Sequence, residues 1–147
     1  MSKPKILAQG VGSIGGFIAG CLAENDCDIT LLTGNEKITQ AISENGLKIA
    51  HEVMEATVRP PVYTHIEDIP GEDGFDIVLL GMMAQKVVAA CLESSKRLNT
   101  DGYFVTYQNG IVLDAVADVC TPARLIPSTL AFGATMEAPG KCRQTTN

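Results

Sequence analysis

The chain has 147 residues and a formal net charge of −6, with 46% apolar and 19% charged residues. On a prior of about 100–200 residues per domain this is one domain, and the apolar share is enough for a core, which excludes a disordered chain. The acidic balance, the lack of a Lys/Arg cluster and the absence of tryptophan argue against a nucleic-acid partner or an anionic membrane surface. Cys21, Cys27, Cys91, Cys120 and Cys142 are odd in number and form no C-x-x-C pair, and His51 and His65 are not clustered. They predict neither a disulfide framework nor a metal site, and they suit a reducing, cytoplasmic setting.

The N-terminus imitates a leader peptide. Lys3 and Lys5 precede an uncharged stretch over 6–23, and Ile18-Ala19-Gly20-Cys21 resembles a lipoprotein processing box. Five glycines in that stretch (Gly10, Gly12, Gly15, Gly16, Gly20) make a poor continuous apolar helix, since each costs about 1 kcal/mol relative to alanine. Their positions fit another pattern. Residues 5–9 read as a short apolar strand ending at Gly10-Val11-Gly12-Ser13-Ile14-Gly15. Ile14, Phe17, Ile18, Cys21 and Leu22 then fall at helical spacing as one apolar stripe. The helix stops near 24–26, and 29–32 is a β-branched strand. Strand, glycine turn, helix and strand within about thirty residues form a βαβ unit with parallel strands.

Residues 37–44 predict a short helix, and Asn45-Gly46 stops it. Residues 47–50 and 56–59 read as short strands, and Pro60-Pro61 bars the second from a central place. An acidic loop covers 67–74. Residues 76–80 are a continuous apolar run, the clearest buried strand. A helix over 84–98 is expected to turn Val87, Val88, Cys91 and Leu92 inward. A strand over 103–107, a helix over 112–119 and a strand over 124–126 follow. No internal repeat is visible. This alternation predicts an α/β chain, a Rossmann-like doubly wound, mostly parallel sheet with helices on both faces.

G-x-G-x-x-G is a weak signal alone, but here a strand precedes it and a helix and second strand follow. Gly10 allows the tight turn, Gly12 lets the backbone approach a pyrophosphate, and Gly15 lets the helix pack closely on the strand. The N–H groups of Val11, Ser13 and Ile14 and the positive end of the helix dipole would serve the phosphates. An acid at the end of the second strand selects a free ribose 2′-hydroxyl. Here that place holds Thr33-Gly34-Asn35, with Glu36 too far into the next turn. Thr33 and Asn35 can donate to a phosphate and Lys37 can add charge, so the pattern leans towards NADP, with NAD still admissible.

The second half makes a resemblance specific. Gly10 to Gly16, Asp28-Ile29-Thr30-Leu31-Leu32, Asn45-Gly46-Leu47-Lys48-Ile49, Ala84-Gln85, Gln108-Asn109-Gly110-Ile111 and Phe132-Gly133-Ala134-Thr135 with Pro139-Gly140 occur in order. Together they resemble the N-terminal domain of ketopantoate reductases (2-dehydropantoate 2-reductases). The resemblance implies NADPH-dependent reduction of a 2-oxo acid, ketopantoate to pantoate, on the route to pantothenate and coenzyme A. It implies that Gly10 to Gly15 hold the pyrophosphate, that Met82, Gln85 and Ala134 lie by the cofactor, and that Asn109 orients nicotinamide and substrate. An Asn amide has both donor and acceptor for that task.

Two departures qualify it. The family's lysine after the central strand is replaced by Met82, with Lys86 four residues on. The family also continues into a helical domain carrying the proposed general-acid lysine and most substrate contacts. The expectation is therefore one dinucleotide-binding domain over 1–147, without that helical domain, poorly active alone. The alternatives are a non-catalytic NAD(P)-binding module or sensor, and a dehydrogenase of another 2-hydroxy acid. The expected partner is a small 2-oxo acid, with a homodimer left open.

Overall fold

The computed structural model describes residues 2–108, 112–120 and 124–146. Ten strands fall into two sheets among these residues. The strands β1 (Lys5–Gln9), β2 (Asp28–Leu32), β5 (Val62–Tyr63), β6 (Phe75–Leu80), β7 (Leu98–Thr106) and β8 (Leu125–Pro127) form the larger sheet, in the order β5-β2-β1-β6-β7-β8. Every pairing in it is parallel. Its strands are apolar on both sides because both faces are covered. The helix α1 (Ser13–Glu24) covers one face; α3 (Val87–Ser95) and α4 (Leu113–Ala117) cover the other. Strand order reverses between β1 and β6, and in open α/β sheets ligands bind at such a switch point, beyond the strands' carboxyl ends.

The prediction of a doubly wound sheet holds, and a second sheet joins it. The strands β3 (Leu47–His51), β4 (Met54–Val58), β9 (Gly133–Ala138) and β10 (Lys141–Thr146) pair in the order β4-β3-β10-β9. The two outer pairings are antiparallel and the central β3–β10 pairing is parallel. Sequence reading placed strands at 47–50 and 56–59 but saw no hairpin over 133–146. Its turn is Pro139-Gly140, with Gly140 at φ +73°. The helix α2 (Glu36–Asn45) leads into this layer, and Gly46 ends it at φ +78°.

The small sheet packs over α1, so that helix lies between two sheets. This explains why α1 is apolar almost all round rather than along one stripe. Gly16 and Gly20, one turn apart, make its second face flat. A Cβ on Gly16 would come 2.6 Å from Cys142 Sγ, and one on Gly20 would strike Ile49 Cγ2. Cys142 is fully buried there, its thiol donates to Gly12 O at 3.6 Å, and burial pushes the thiol up to about 11.

Two details differ from expectation on the opposite face. The predicted helix over 84–98 is a 3-10 turn (Ala84–Lys86) followed by α3, and Leu98 already belongs to β7. Ser94 and Ser95 donate back to Ala90 O and Leu92 O, the local competition that loosens a helix end. The inward stripe is Val87, Ala90, Cys91 and Ser94. Leu92 falls off that stripe and is 50% exposed, so its expected inward orientation is corrected. The short strand β5 was also missed: Pro60-Pro61 ends β4, and Pro61 O accepts from Leu31 N at 2.8 Å as the chain joins the sheet edge.

Candidate functional site

The carboxyl ends of β1, β2, β6 and β7 open into a cleft of about 740 Å³. Gly10, at φ +91°, turns the chain out of β1, and a Cβ there would come 2.7 Å from Met82 N. Gly15 is buried, and a Cβ on it would collide with Gly10 O. Glycine at both places lets the start of α1 rest directly on the turn and on the β6 end. Gly12 is different. It is the N-cap of α1 in extended conformation, and nothing lies within 4 Å of the place a Cβ would take. No protein atom there requires a glycine, so the open space at Gly12 is a cradle that a side chain would fill.

No side chain caps α1, and its first turn holds no acid. The first-turn N–H groups have no acceptor within the helix, and they carry the positive end of its dipole. Gly12, Ser13 and Ile14 line the cleft with Gly10 and Val11. This arrangement fits a diphosphate: free donors, a positive field and room for close approach.

The β2 end supplies the next wall. Thr33, Gly34 and Asn35 all line the cleft. Asn35 caps α2, its Oδ1 accepting from Lys37 N at 3.0 Å and Ile38 N at 3.2 Å. Its amide –NH₂ therefore faces outward as a donor. The Thr33 hydroxyl serves its own turn, bonded to Asn35 O at 3.0 Å and to the Thr39 hydroxyl at 2.6 Å. Lys37 has an exposed side chain and does not line the cleft.

The third wall is the loop from β6 to α3: Gly81, Met82, Met83, Ala84, Gln85 and Lys86. Gln108, just beyond β7, pins this loop by donating from Nε2 to Leu80 O at 2.5 Å and to Met82 O at 2.9 Å. That orientation leaves Gln108 Oε1 buried without a donor. Tyr107 lines the same wall, and burial pushes its hydroxyl far above the usual tyrosine range, so it stays a neutral hydrogen-bond donor. A second cavity of about 530 Å³ adjoins, sharing Gly10, Thr33, Gly34, Met82 and Lys86 with the first.

Most residues picked from sequence thus converge: Gly10, Val11, Gly12, Ser13, Ile14, Thr33, Gly34, Asn35, Met82 and Gln85 share one cleft. Gly15 shapes it from beneath. Ala134 is on β9 in the second sheet, packed against the α1 core, and is not among the residues lining the cleft. Asn109 lies outside the described residues. Sequence reading missed Tyr107 and Gln9 as site-lining residues. A glutamine closing an otherwise apolar central strand was the available signal for Gln9. Among the described residues no His/Cys/Asp/Glu group could hold a metal ion, and no helix is long and apolar enough to cross a membrane.

Comparison with known proteins decides the family. The profile of the ketopantoate reductase PanE/ApbA family matches residues 6–147. The chain belongs to that family. It is 30% identical to the 2-dehydropantoate 2-reductase of Pyrococcus abyssi, over 96% of this chain and 44% of the relative. The solved 2-dehydropantoate 2-reductase of Geobacter metallireducens superposes with a TM-score of 0.80 at 24% identity, over 95% of this chain and 46% of the other. A D-mandelate dehydrogenase, solved with NADH and anilino(oxo)acetate, gives a TM-score of 0.85 at 20% identity, over 96% of this chain and 45% of the other. This ketopantoate reductase family chain therefore spans about half the length of the relatives it matches.

Proposed function

We propose that this chain is the dinucleotide-binding domain of an NADPH-dependent 2-oxo acid reductase that converts ketopantoate to pantoate. The observation that carries the reading is the uncapped start of α1 beside the open space at Gly12, at the switch point of a parallel sheet. Gly10, Val11, Gly12, Ser13 and Ile14 hold the pyrophosphate, and Gly15 keeps the helix close enough for them to do so. Thr33, Gly34 and Asn35 flank the adenosine ribose. The β2 end has no acid there, and the Asn35 amide offers donors, which favours a 2′-phosphate over a bare hydroxyl. Lys86, which lines the cleft and its neighbour, adds the positive charge that Met82 lacks.

Bound in this cleft, the nicotinamide supplies the hydride. The residues on this chain bind and orient: the Gln108 bonds fix the wall at Met82, Ile14 and Tyr107 shape the space beside it, and Gln85 lies along its rim. Asn109, by its place after β7, is assigned to orienting substrate and carboxamide. Ala134 is assigned to the nicotinamide side by family resemblance. Burial leaves the Tyr107 hydroxyl a weak acid, and Lys86, which lines the cleft, is assigned to the charge of the cofactor rather than to the proton. The proton for the alkoxide is therefore assigned to the helical domain that family members add.

Calorimetric titration with NADPH and NADH tests the reading: binding of NADPH in the micromolar range is expected. Absence of binding for both below millimolar overturns it. A second reading, a non-catalytic NAD(P) sensor, draws on Met82 standing where the family has lysine. Tight NADPH binding by the full-length protein with no ketopantoate reduction would select the sensor.

A further inference from the structure

Two thiols meet on the face of the large sheet opposite α1. Cys91 lies midway along α3 and is fully buried. Cys120 closes the last turn of α4, where its backbone N–H donates to Val116 O at 2.9 Å, and its side chain is partly exposed. Both belong to the core cluster that holds Val87 and Val116, and the Cys91 thiol donates to Cys120 Sγ. Burial raises the Cys120 thiol, while the Cys91 S–H and the Arg124 guanidinium act against that rise by favouring the thiolate. Arg124 is fixed in place, since its Nε donates to Gly102 O at 2.9 Å and its Nη2 to Asn99 O. Cys21, Cys27 and Cys142 pack on the α1 side, so the sheet stands between them and this pair. Neither Cys91 nor Cys120 lines the cofactor cleft.

We infer that Cys91 and Cys120 are a dithiol that hydroperoxides oxidise to a reversible disulfide, which locks α4 onto α3. The lock draws on the packing of these two helices and needs no bound dinucleotide. Cys120 is the sulfur that solvent reaches. As its thiolate it attacks the peroxide, the O–O bond breaks, and Cys120 becomes a sulfenic acid while the other oxygen leaves as an alcohol, or as water from hydrogen peroxide. The Cys91 sulfur, already in contact, then attacks Cys120 Sγ. The S–O bond breaks, and the departing hydroxyl takes the Cys91 proton as water. Two thiols and one hydrogen peroxide thus give one disulfide and two waters. An external dithiol reverses the reaction by exchange and leaves as its own disulfide. A partly exposed thiol beside a resolving thiol is the arrangement that makes thiol oxidation reversible. The helix α3 begins directly after Lys86 in the cleft wall, so the lock holds the helix behind that wall.

The test treats the 147-residue chain with millimolar hydrogen peroxide, blocks free thiols and maps the peptides without reduction. A Cys91–Cys120 linkage is expected to predominate. The thermal midpoint should rise by at least about 5 °C, because the bond closes a loop of about 30 residues, and excess dithiothreitol should reverse both changes. Cys91→Ser removes the resolving thiol, so dimedone should capture Cys120 as its sulfenic acid, which the wild type escapes by forming the disulfide. Cys120→Ser, at the partly exposed position, should fold with a midpoint within about 3 °C of the reduced wild type and lose the peroxide-dependent rise. Both thiols staying free under peroxide, lasting dimedone labelling of Cys120 in the wild type, or linkage of other cysteines in place of this pair overturns the inference. A Cys91–Cys120 bond that forms without raising the midpoint overturns the lock.

Discussion

The glycine turn separates two roles that one motif usually blurs, and two alanine substitutions divide them. At Gly15 the added Cβ collides with Gly10 O, and the next neighbours are Gly10 C at 3.2 Å and Gly81 Cα at 3.3 Å. All are backbone, so no side chain can move aside, and α1 must lift from the turn. Overpacking of this kind costs about 1–3 kcal/mol, and the better helix propensity of alanine returns about 1 kcal/mol at most. A net loss of about 2 kcal/mol in a domain this size lowers the melting midpoint by roughly 5–10 °C. At Gly12 nothing lies within 4 Å and φ is −93°. Alanine fits the backbone there and forfeits only the N-cap advantage of glycine, roughly 0.5–1 kcal/mol. Gly12→Ala should therefore melt within about 3 °C of wild type yet bind NADPH at least about tenfold more weakly, a loss of 1.4 kcal/mol or more. Thermal unfolding and calorimetric titration on both variants measure these quantities. Wild-type affinity in Gly12→Ala would refute the claim that the phosphates approach that Cα. Wild-type stability in Gly15→Ala would refute the claim that the helix rests on the turn.

Further expectations follow from named contacts. Asn35→Ala removes the acceptor that holds two first-turn N–H groups of α2; the loss should be about 1 kcal/mol by denaturant titration, with NADPH affinity also reduced. Gln108→Leu strands Leu80 O and Met82 O, so destabilisation of roughly 1–3 kcal/mol is expected, and hydrogen exchange at 81–86 should accelerate. Burial pushes the Cys91 thiol up to about 12 and the Cys142 thiol up to about 11, above the usual value near 8.5. The unfolded chain then releases these protons first, so their stabilisation is complete below about pH 8.5 and is lost as pH rises through 11 to 12. Melting midpoints should fall across that range, and a Cys91→Ala Cys142→Ala double variant should show a shallower fall; equal slopes would refute the assignment.

The sequence by itself determined the parallel sheet and its ligand edge. Apolar runs at 5–9, 29–32 and 76–80 admit one reading because buried parallel strands are apolar on both faces. Gly10, Gly12 and Gly15 marked the turn because each answers a local demand: a positive φ, an open approach, a tight contact. Thr33, Gly34 and Asn35 followed as the end of the next strand. Leu92 was misread because a stripe in a short helix shifts by one residue without altering composition. The β9–β10 hairpin escaped because its polar, two-faced strands carry little periodic signal, and its partner β3 lies over ninety residues away.

Only the tertiary structure decided what lies over α1 and what lies beneath the cleft. Gly16 and Gly20 could be seen in the sequence, but their function as a flat face required Ile49 and Cys142 to arrive from distant strands. Gln9 is a polar residue at a strand end until α3 brings Glu93 to it across 84 residues. Local pattern reports a residue's own backbone and burial. Pairings between residues far apart in the chain are set by packing, and the Gln9–Glu93 bond is of that kind.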